Sequence, residues 1–173
     1  MIEWANSAGS RRFAQEGPSV VNIIKEQKGN VISVRMVGSV EESVEFEQLI
    51  GPVTGELHVN CKEIPRINSI GVKAWIKYFS GLSQKGVKLK FTECSTAIVE
   101  QINLISNFVS GGAVESIYVP FSCTACKGEF IGLFKTEDLK ALKLQVPDLK
   151  CSKCGGKAVF DDIPEEYFGF LER

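Results

Sequence analysis

Four of the six cysteines in this 173-residue chain fall into two identically spaced pairs. Cys123 and Cys126 enclose Thr-Ala, and Cys151 and Cys154 enclose Ser-Lys. A Cys-x-x-Cys pair can present two thiolates to one ion, and two such pairs complete a tetrahedral four-sulfur site. The gap between the pairs is somewhat longer than usual, which only lengthens the loop between them. The spacing therefore predicts a single bound metal ion.

Zinc is the favoured metal for this site, and iron in the same four-thiolate environment is the chemical alternative. The segment Met1–Ser10 has no basic start followed by an apolar stretch, so we expect no secretory signal and a cytoplasmic location. In a reducing cytoplasm, paired cysteines are metal ligands more often than disulfides. Because four thiolates leave no coordination position for a catalytic water, the ion is expected to be structural.

The residues next to the cysteines bear on turn geometry and on local charge. Glycine follows each pair, at Gly128 and at Gly155–Gly156, and permits the positive φ that a metal-binding turn often needs. Four thiolates around a divalent ion leave a local charge of about −2. Four lysines can shield this charge or contact nucleic acid: Lys127, Lys150, Lys153 and Lys157. We expect these lysines to shield the charge of the metal site rather than to contact nucleic acid.

The overall charge narrows the possible partner classes. The chain carries 20 Lys+Arg and 21 Asp+Glu, for a formal net charge of −1. Such a balance argues against attraction to nucleic acid or to an anionic membrane by charge alone. No apolar run approaches the roughly 20 residues that span a bilayer. We therefore expect a soluble protein whose partner is another protein.

Changes in residue composition and hydrophobic pattern divide the chain into three parts. Residues 1–18 mix Ser, Gly, Asn and Arg and end in Gly-Pro, which is typical of an irregular arm. Residues 19–120 alternate strand-like and helix-like segments. Residues 121–173 have few large apolar side chains, as in small modules that a metal stabilises. We interpret this last part as a zinc-ribbon module followed by a tail that alternates acids with aromatics.

The middle part predicts an α/β fold, a mixed sheet with helical crossovers. Two strands at 19–26 and 31–37 flank a turn-like tetrapeptide and form a hairpin. The next segments are a short helix at 41–50, a strand at 56–62, an amphipathic helix at 70–84, a strand at 87–91, a helix after Ser95 and a strand at 114–119. Right-handed crossovers would make most of this sheet parallel.

Part of this α/β domain resembles a known family. A strand ends at Gly38, another runs from Leu57 to Cys61, and the turn Asn68-Ser69-Ile70-Gly71 precedes the amphipathic helix. These features are similar to the STAS domain of bacterial anti-sigma factor antagonists. In that family the turn commonly reads Asp-Ser-Ser-Gly or Asp-Ser-x-Gly, and a partner kinase phosphorylates its first serine. The resemblance implies a STAS-like fold over residues 19–120.

The resemblance places the phosphorylated serine at Ser69 and the preceding aspartate at Asn68. A phosphate on Ser69 would lie at a helix N-terminus, where unpaired N–H groups and the helix dipole favour an anion. It would add about −1.5 to −2 charges and could block a docking surface. The alternative is that Ser69 only caps the helix and Asn68 only shapes the turn. The resemblance thus implies a bacterial regulatory protein that binds an anti-sigma factor or a signalling kinase.

The remaining reactive residues predict no catalytic site, and we expect a non-enzymatic protein. The sequence has no Gly-rich phosphate loop, nucleophile elbow or catalytic metal motif. The single histidine, His58, lies within a strand and is interpreted as structural. Cys61 and Cys94 are interpreted as small buried hydrophobes, or as a redox pair if their strands are neighbours. The alternative function is an adaptor whose zinc ribbon contacts nucleic acid or a transcription complex.

Overall fold

The computed structural model describes residues 21–42 and 44–173, so the arm predicted at residues 1–18 lies outside the described part. The described residues form two β-sheets, and helices flank the first. The strands of the first sheet are β1 (Asn22–Lys28), β2 (Val31–Val37), β3 (Glu56–Glu63), β4 (Lys88–Thr92) and β5 (Ala113–Val114). The helices between these strands are α1 (Phe46–Ile50), α2 (Ser69–Gln84) and α3 (Thr96–Leu104).

The first sheet is mixed, as the sequence predicted. Its strand order is β1-β2-β3-β4-β5, with β1 antiparallel to β2 and every later pair parallel. A short hairpin joins the first two strands because Gly29 adopts φ +61°, which the tight turn requires. The parallel pairs are joined through helices, as crossover connections demand. The α/β class and the mixed sheet are thus confirmed.

Alternation along the strands divides the first sheet into a buried face and an open polar face. The inward positions of β2 and β3 are buried: Ile32, Val34, Met36, Leu57, Val59 and Cys61. Trp75 of α2 belongs to the same core and is stacked on Phe108 at a centroid distance of 5.1 Å. Its indole Nε1–H donates to the Phe108 carbonyl at 3.1 Å, so the buried donor is satisfied.

Helix α1 is shorter than the 41–50 segment expected from sequence. Val40 forms a parallel bridge with Ile67, and the Val40 N–H donates to the Arg66 carbonyl at 2.9 Å. Glu45, at φ −107° and ψ 84°, is still outside the helical region. The chain therefore remains tied to the loop before α2 and turns into a helix only at Phe46.

The C-terminal third forms the second sheet, with strand order β7-β6-β9-β8 and antiparallel pairing throughout. Its strands are β6 (Ser116–Cys123), β7 (Glu129–Lys135), β8 (Leu149–Lys150) and β9 (Lys157–Phe160). Two short helices, α4 (Thr136–Ala141) and α5 (Pro164–Tyr167), follow β7 and β9. Among the described residues, no helix is long and apolar enough to cross a membrane.

Strand β6 connects the two sheets directly. Its first residues continue the first sheet, because the Cys94 N–H donates to the Ser116 carbonyl at 3.0 Å and the Tyr118 N–H donates to the Cys94 carbonyl at 2.8 Å. The strand expected at 114–119 is therefore longer and is interrupted once, at Glu115. Phe121 and Phe134 of the second sheet belong to the same apolar cluster as the first. The two sheets share one core.

The acidic and aromatic tail packs on the body of the protein. Tyr167 and Phe168 are buried, and the Tyr167 hydroxyl donates to the Tyr118 carbonyl at 2.6 Å. Asn103 of α3 binds the tail from the other side, because its side-chain amide donates to the Tyr167 carbonyl and accepts from the Phe170 N–H. The tail thus closes over α3 rather than extending into solvent.

Candidate functional site

The four cysteine sulfurs predicted as ligands lie together at one end of the second sheet. All four Sγ atoms fall within 4.8 Å of one another. The Cys123 and Cys154 sulfurs are 3.5 Å apart, and those of Cys126 and Cys151 are 3.7 Å apart. A tetrahedral ion with metal–sulfur bonds of about 2.3 Å requires sulfur–sulfur distances of roughly 3.8 Å. The four cysteines can therefore hold one metal ion.

Both cysteine turns use the same backbone hydrogen bonds. In the first, the Cys123 N–H donates to the Gly128 carbonyl at 2.9 Å, and the Lys127 N–H donates to the Cys123 carbonyl at 3.0 Å. The second turn repeats both bonds at the equivalent positions, at 2.8 Å. The Cys126 N–H also points at the Cys123 sulfur, 3.5 Å away. This shared geometry places two sulfurs of each turn toward a common centre.

The glycines after each pair have a role that differs in part from the sequence expectation. Positive φ occurs at Lys127 (58°) and Gly155 (71°), so in the first turn a lysine rather than glycine takes the left-handed conformation. Gly128 and Gly156 are required for space, because a Cβ there would lie 3.3 and 3.2 Å from a cysteine sulfur. Only Gly155 acts as predicted, through its backbone angle.

The electrostatics of the four sulfurs favour a cation between them. Hydrogen bonding from the Cys126 N–H lowers the pKa of Cys123 to about 6, and the Cys154 N–H lowers the pKa of Cys151 in the same way. The Gly156 N–H also acts to lower the pKa of Cys154, but the neighbouring Cys123 and Cys126 sulfurs outweigh it and raise that pKa to about 11. Four thiolates can therefore coexist here when a positive ion offsets their repulsion.

The surroundings of the cluster are basic and open to solvent. Cys123 and Cys151 are buried, whereas Cys126 and Cys154 are exposed, so the site lies at the surface of the second sheet. All four neighbouring lysines are exposed. Among the described residues, only Lys157 of these four forms an ion pair, with Asp148 at 2.7 Å. The other three are available to offset the negative charge of the thiolates.

In the loop before α2, Asn68 rather than Ser69 caps the helix. The Asn68 side-chain oxygen accepts from the Ile70 N–H at 3.1 Å and from the Gly71 N–H at 2.8 Å. The alternative in which Ser69 is the cap is therefore wrong. Ser69 is the first helical residue and is exposed, as is Ile70, whose relative exposure is 47%. The Ser69 hydroxyl lies at the surface.

A close backbone contact fixes this loop against the strand end. A Cβ on Gly71 would lie 2.1 Å from the Val40 carbonyl oxygen, so only glycine fits. The Asn68 N–H donates to the same oxygen at 3.1 Å. Nearby, Arg66 pairs with Glu41 at 2.5 Å and holds the incoming chain. The position of Ser69 is thus set by contacts on both sides of it.

The Asn68 cap supports a direct prediction. Replacing Asn68 with Asp keeps an acceptor for both N–H groups and adds a negative charge at the positive end of α2, so we expect a gain of about 0.3–1 kcal/mol at neutral pH. Asn68→Ala removes the acceptor and is expected to lose about 1 kcal/mol. Urea unfolding of the three proteins measures both changes. Equal stabilities would show that the cap does not form in solution.

His58 lies within strand β3, where its side chain contacts an acid. Its Nε2 lies 2.5 Å from Glu56 Oε1, and Lys90 Nζ lies 2.7 Å from the same oxygen. Hydrogen bonds from Lys90 and then His58 lower the pKa of Glu56 to about 2. The histidine thus contacts the Glu56–Lys90 ion pair on the open face of the first sheet.

Cys61 and Cys94 are both fully buried and lie next to each other. Burial raises the pKa of Cys61, and the Cys94 thiol raises it further. A thiol held in this protonated form is unreactive. The two residues therefore act as small core side chains, and both are free thiols.

A polar group that the sequence did not indicate lies where β6 crosses the ends of β3 and β4. Glu93 accepts from the Asn60 side-chain amide at 3.1 Å and from the Tyr118 hydroxyl at 3.0 Å. It has a positive φ of 48°, which is uncommon for a residue with a side chain. These two partners come from different strands, β3 and β6, so only the tertiary path of β6 brings them together.

Comparison with known proteins assigns the chain to no family. No protein-family model matches the chain, and a search of curated proteins finds no match. Any functional proposal for the chain therefore depends on its residue geometry and chemistry.

Proposed function

We propose that this chain is a non-enzymatic regulatory protein that binds a signalling partner through the surface around Ser69, in the manner of anti-sigma factor antagonists with STAS domains. The observation that supports this proposal best is the exposure of Ser69 at the first residue of α2, in a loop fixed by the Asn68 cap and the Gly71 contact. The partner is an anti-sigma factor or a signalling kinase.

The proposed docking surface, here called the Ser69 surface, comprises Ser69, Ile70 and Lys73. All three are exposed, and Ser69 and Lys73 lie one helical turn apart on the same face of α2. Ile70 supplies an apolar contact and Lys73 a positive charge. Because this loop is already fixed in the free protein, it would lose little conformational entropy when a partner binds.

Phosphorylation of Ser69 would act on the partner rather than on α2 itself. The Ile70 and Gly71 N–H groups already donate to Asn68, so they are not free to rearrange around a phosphate. The added charge of about −1.5 to −2 would instead project outward beside Lys73 and change the charge and shape of the Ser69 surface. Binding would then be lost by repulsion and bulk.

For the four-cysteine site we propose a structural Zn²⁺ ion within a zinc-ribbon module. The donor set contains only thiolates, which zinc accepts in tetrahedral structural sites, and iron is the alternative metal. Both cysteine turns connect neighbouring strands of the second sheet, so the ion would join the β6–β7 hairpin to β8 and β9. This role requires no exchangeable ligand.

The Ser69 proposal is tested by capture of partners from the source cell with the tagged, metal-loaded full chain. We expect Ser69→Ala to retain the partner and Ser69→Asp to reduce its recovery by roughly tenfold or more, as unfavourable charge at an interface does. Ser83→Asp is the matched control, because Ser83 is exposed near the other end of α2, about 20 Å away along its axis. Unchanged recovery with Ser69→Asp would count against the Ser69 surface.

A second candidate function is an adaptor whose zinc ribbon contacts nucleic acid. It is favoured by three exposed lysines beside the sulfur cluster that form no ion pair with any residue the structure describes: Lys127, Lys150 and Lys153. Repeating the capture at rising salt separates the two functions, because binding to phosphates weakens steeply with salt. Recovery of nucleic acid that falls with salt and does not respond to Ser69→Asp would support the adaptor.

A further inference from the structure

Strand β7 presents an edge that differs from the other sheet edges of the described residues. The edge strands β5 and β8 have two residues each, and β1 carries charges along its length, at Lys25, Glu26 and Lys28. Short and charged edges resist pairing with other chains. In contrast, β7 has seven residues, of which the central five, Phe130–Phe134, are uncharged. Among the described residues, its outer edge pairs with no strand.

The hydrogen bonds at the two ends of the β6–β7 ladder show which groups of β7 face outward. The Cys123 N–H donates to the Gly128 carbonyl at 2.9 Å, and the Thr136 N–H donates to the Glu115 carbonyl at 3.0 Å. In an antiparallel pair, bonded residues alternate along the strand, so even-numbered positions of β7 bond to β6. The outward N–H and C=O groups therefore belong to Glu129, Ile131, Leu133 and Lys135.

The sequence of β7 is self-complementary about its central glycine. It reads Glu129-Phe-Ile-Gly132-Leu-Phe-Lys135, with an acid at one end, a base at the other and apolar residues placed symmetrically between them. If two copies pair antiparallel with Gly132 at the centre, Glu129 of each copy faces Lys135 of the other. The same register pairs Ile131 with Leu133 and Phe130 with Phe134.

We propose that β7 binds β7 of a second copy of this chain, antiparallel and about a two-fold axis through Gly132, to form a homodimer with a continuous sheet. This register joins the outward residues, because Ile131–Leu133 and Glu129–Lys135 become the hydrogen-bonded pairs. Both ends then carry a cross-strand pair of opposite charge. A two-fold interface of this kind uses the same surface on both copies.

The charges at the ends of β7 favour this register of the two strands over registers shifted along the strand. A shift of two residues keeps the outward groups opposed but places Glu129 opposite Leu133, so the ends lose their charge pairs.

The side chains of Ile131 and Leu133 are only partly buried in the single chain, and pairing would cover them. On the other face, a Cβ at Gly132 would lie 3.1 and 3.2 Å from the rings of Phe134 and Phe121, so the core beneath the axis is filled.

Charge reversal tests the dimer directly. Sedimentation velocity at low salt, with zinc-loaded full chain over a range of concentrations, is expected to show a monomer–dimer equilibrium. Glu129→Lys and Lys135→Glu each replace both opposite-charge pairs with like-charge pairs, and each is expected to raise the dimer Kd by roughly tenfold. The double variant Glu129→Lys/Lys135→Glu restores opposite charges and is expected to return the Kd to near the wild-type value. Both residues are exposed, so folding should be unaffected.

Three results would overturn the proposal. A wild-type chain that stays monomeric at all concentrations would show that the β7 edge does not pair. A dimer whose Kd is the same in both single variants would place the contact elsewhere. Open-ended assembly instead of a closed dimer would show that the contact is between two different surfaces of the chain rather than between two copies of β7. Circular dichroism and zinc content of each variant confirm that the compared proteins are folded and loaded.

Discussion

Removal of a metal bound by the four cysteines is expected to unfold β8 and β9 of the second sheet while the first sheet keeps its structure. Structural zinc sites in small peptides contribute an apparent binding free energy of about 10–16 kcal/mol at pH 7. Whole domains are stable by only about 5–15 kcal/mol. Two of the four strands of the second sheet, β8 and β9, are short. A four-thiolate site should therefore supply most of the free energy that keeps these two strands folded.

The architecture of the second sheet explains why the effect should be large. β8 contains two residues and β9 four, and three residue pairs join β9 to β6. The loop from α4 to β8, residues 142–148, has no buried residue, and only Leu139 before it and Leu149 after it reach the core. A metal ion would join the sulfurs of the two cysteine turns, which are otherwise linked by hydrogen bonds from Thr124 to the Lys157 carbonyl. Without the ion, the sulfurs lie 3.5–3.7 Å apart and either repel one another or are protonated.

The first sheet should remain folded but become less stable. β6 belongs to both sheets, and Phe121 contacts Phe130 and Phe134 in the shared core, with ring centroids 5.6 and 6.0 Å away. Unfolding of β8 and β9 would expose part of this cluster. We therefore expect a lower Tm for the metal-free chain, with fast amide exchange in β8 and β9 and slow exchange in α2 and in β2 to β4.

The measurement compares wild type, Cys126→Ser and the control Ser152→Ala. Ser152 is exposed between the second pair of cysteines, so its truncation changes the same turn without removing a ligand. Elemental analysis should find one zinc per chain in wild type and control and much less in Cys126→Ser. Chelated wild type should match the variant by hydrogen exchange. An unchanged second sheet in either metal-free sample would contradict a structural role for the metal.

Hydrophobic periodicity and cysteine spacing predicted the secondary-structure elements and the cysteine turns, because both are determined by residues close together in the sequence. The amphipathic helix at 70–84 is α2, and the strand at 31–37 is β2 without change of bounds. The four cysteines lie together because each Cys-x-x-Cys turn is a local structure. Their convergence required only that the two turns come from neighbouring strands.

Features that depend on the tertiary path were not predicted. The path of β6 from one sheet into the other brings Glu93, Asn60 and Tyr118 together, and nothing in the local sequence indicates that path. The cap of α2 was ambiguous because Asn68 and Ser69 both favour helix N-termini, and only the hydrogen bonds to Asn68 decide between them. The start of α1 shifted because the Val40–Ile67 bridge delays it.

The two glycines of α2, Gly71 near its start and Gly81 near its end, are expected to respond in opposite directions to the same substitution. A Cβ at Gly71 would lie 2.1 Å from the Val40 carbonyl oxygen and 2.7 Å from its carbon. These are backbone atoms, so no side-chain rotation relieves the overlap, and Gly71→Ala should destabilise the protein by about 1–3 kcal/mol. Gly81 has no atom within 4 Å of its Cβ position, so Gly81→Ala should gain about 0.5–1 kcal/mol from helix propensity.

The matched pair separates the local contact from helix propensity, because both changes add one methyl group to the same helix. Urea unfolding should show midpoints on opposite sides of wild type with similar m-values. Since the Gly71 contact also fixes the loop that presents Ser69, Gly71→Ala should weaken partner capture while Gly81→Ala leaves it intact. A Gly71→Ala protein as stable as Gly81→Ala would show that the loop does not pack on Val40, and the Ser69 surface would then lack the rigid support on which its proposed role depends.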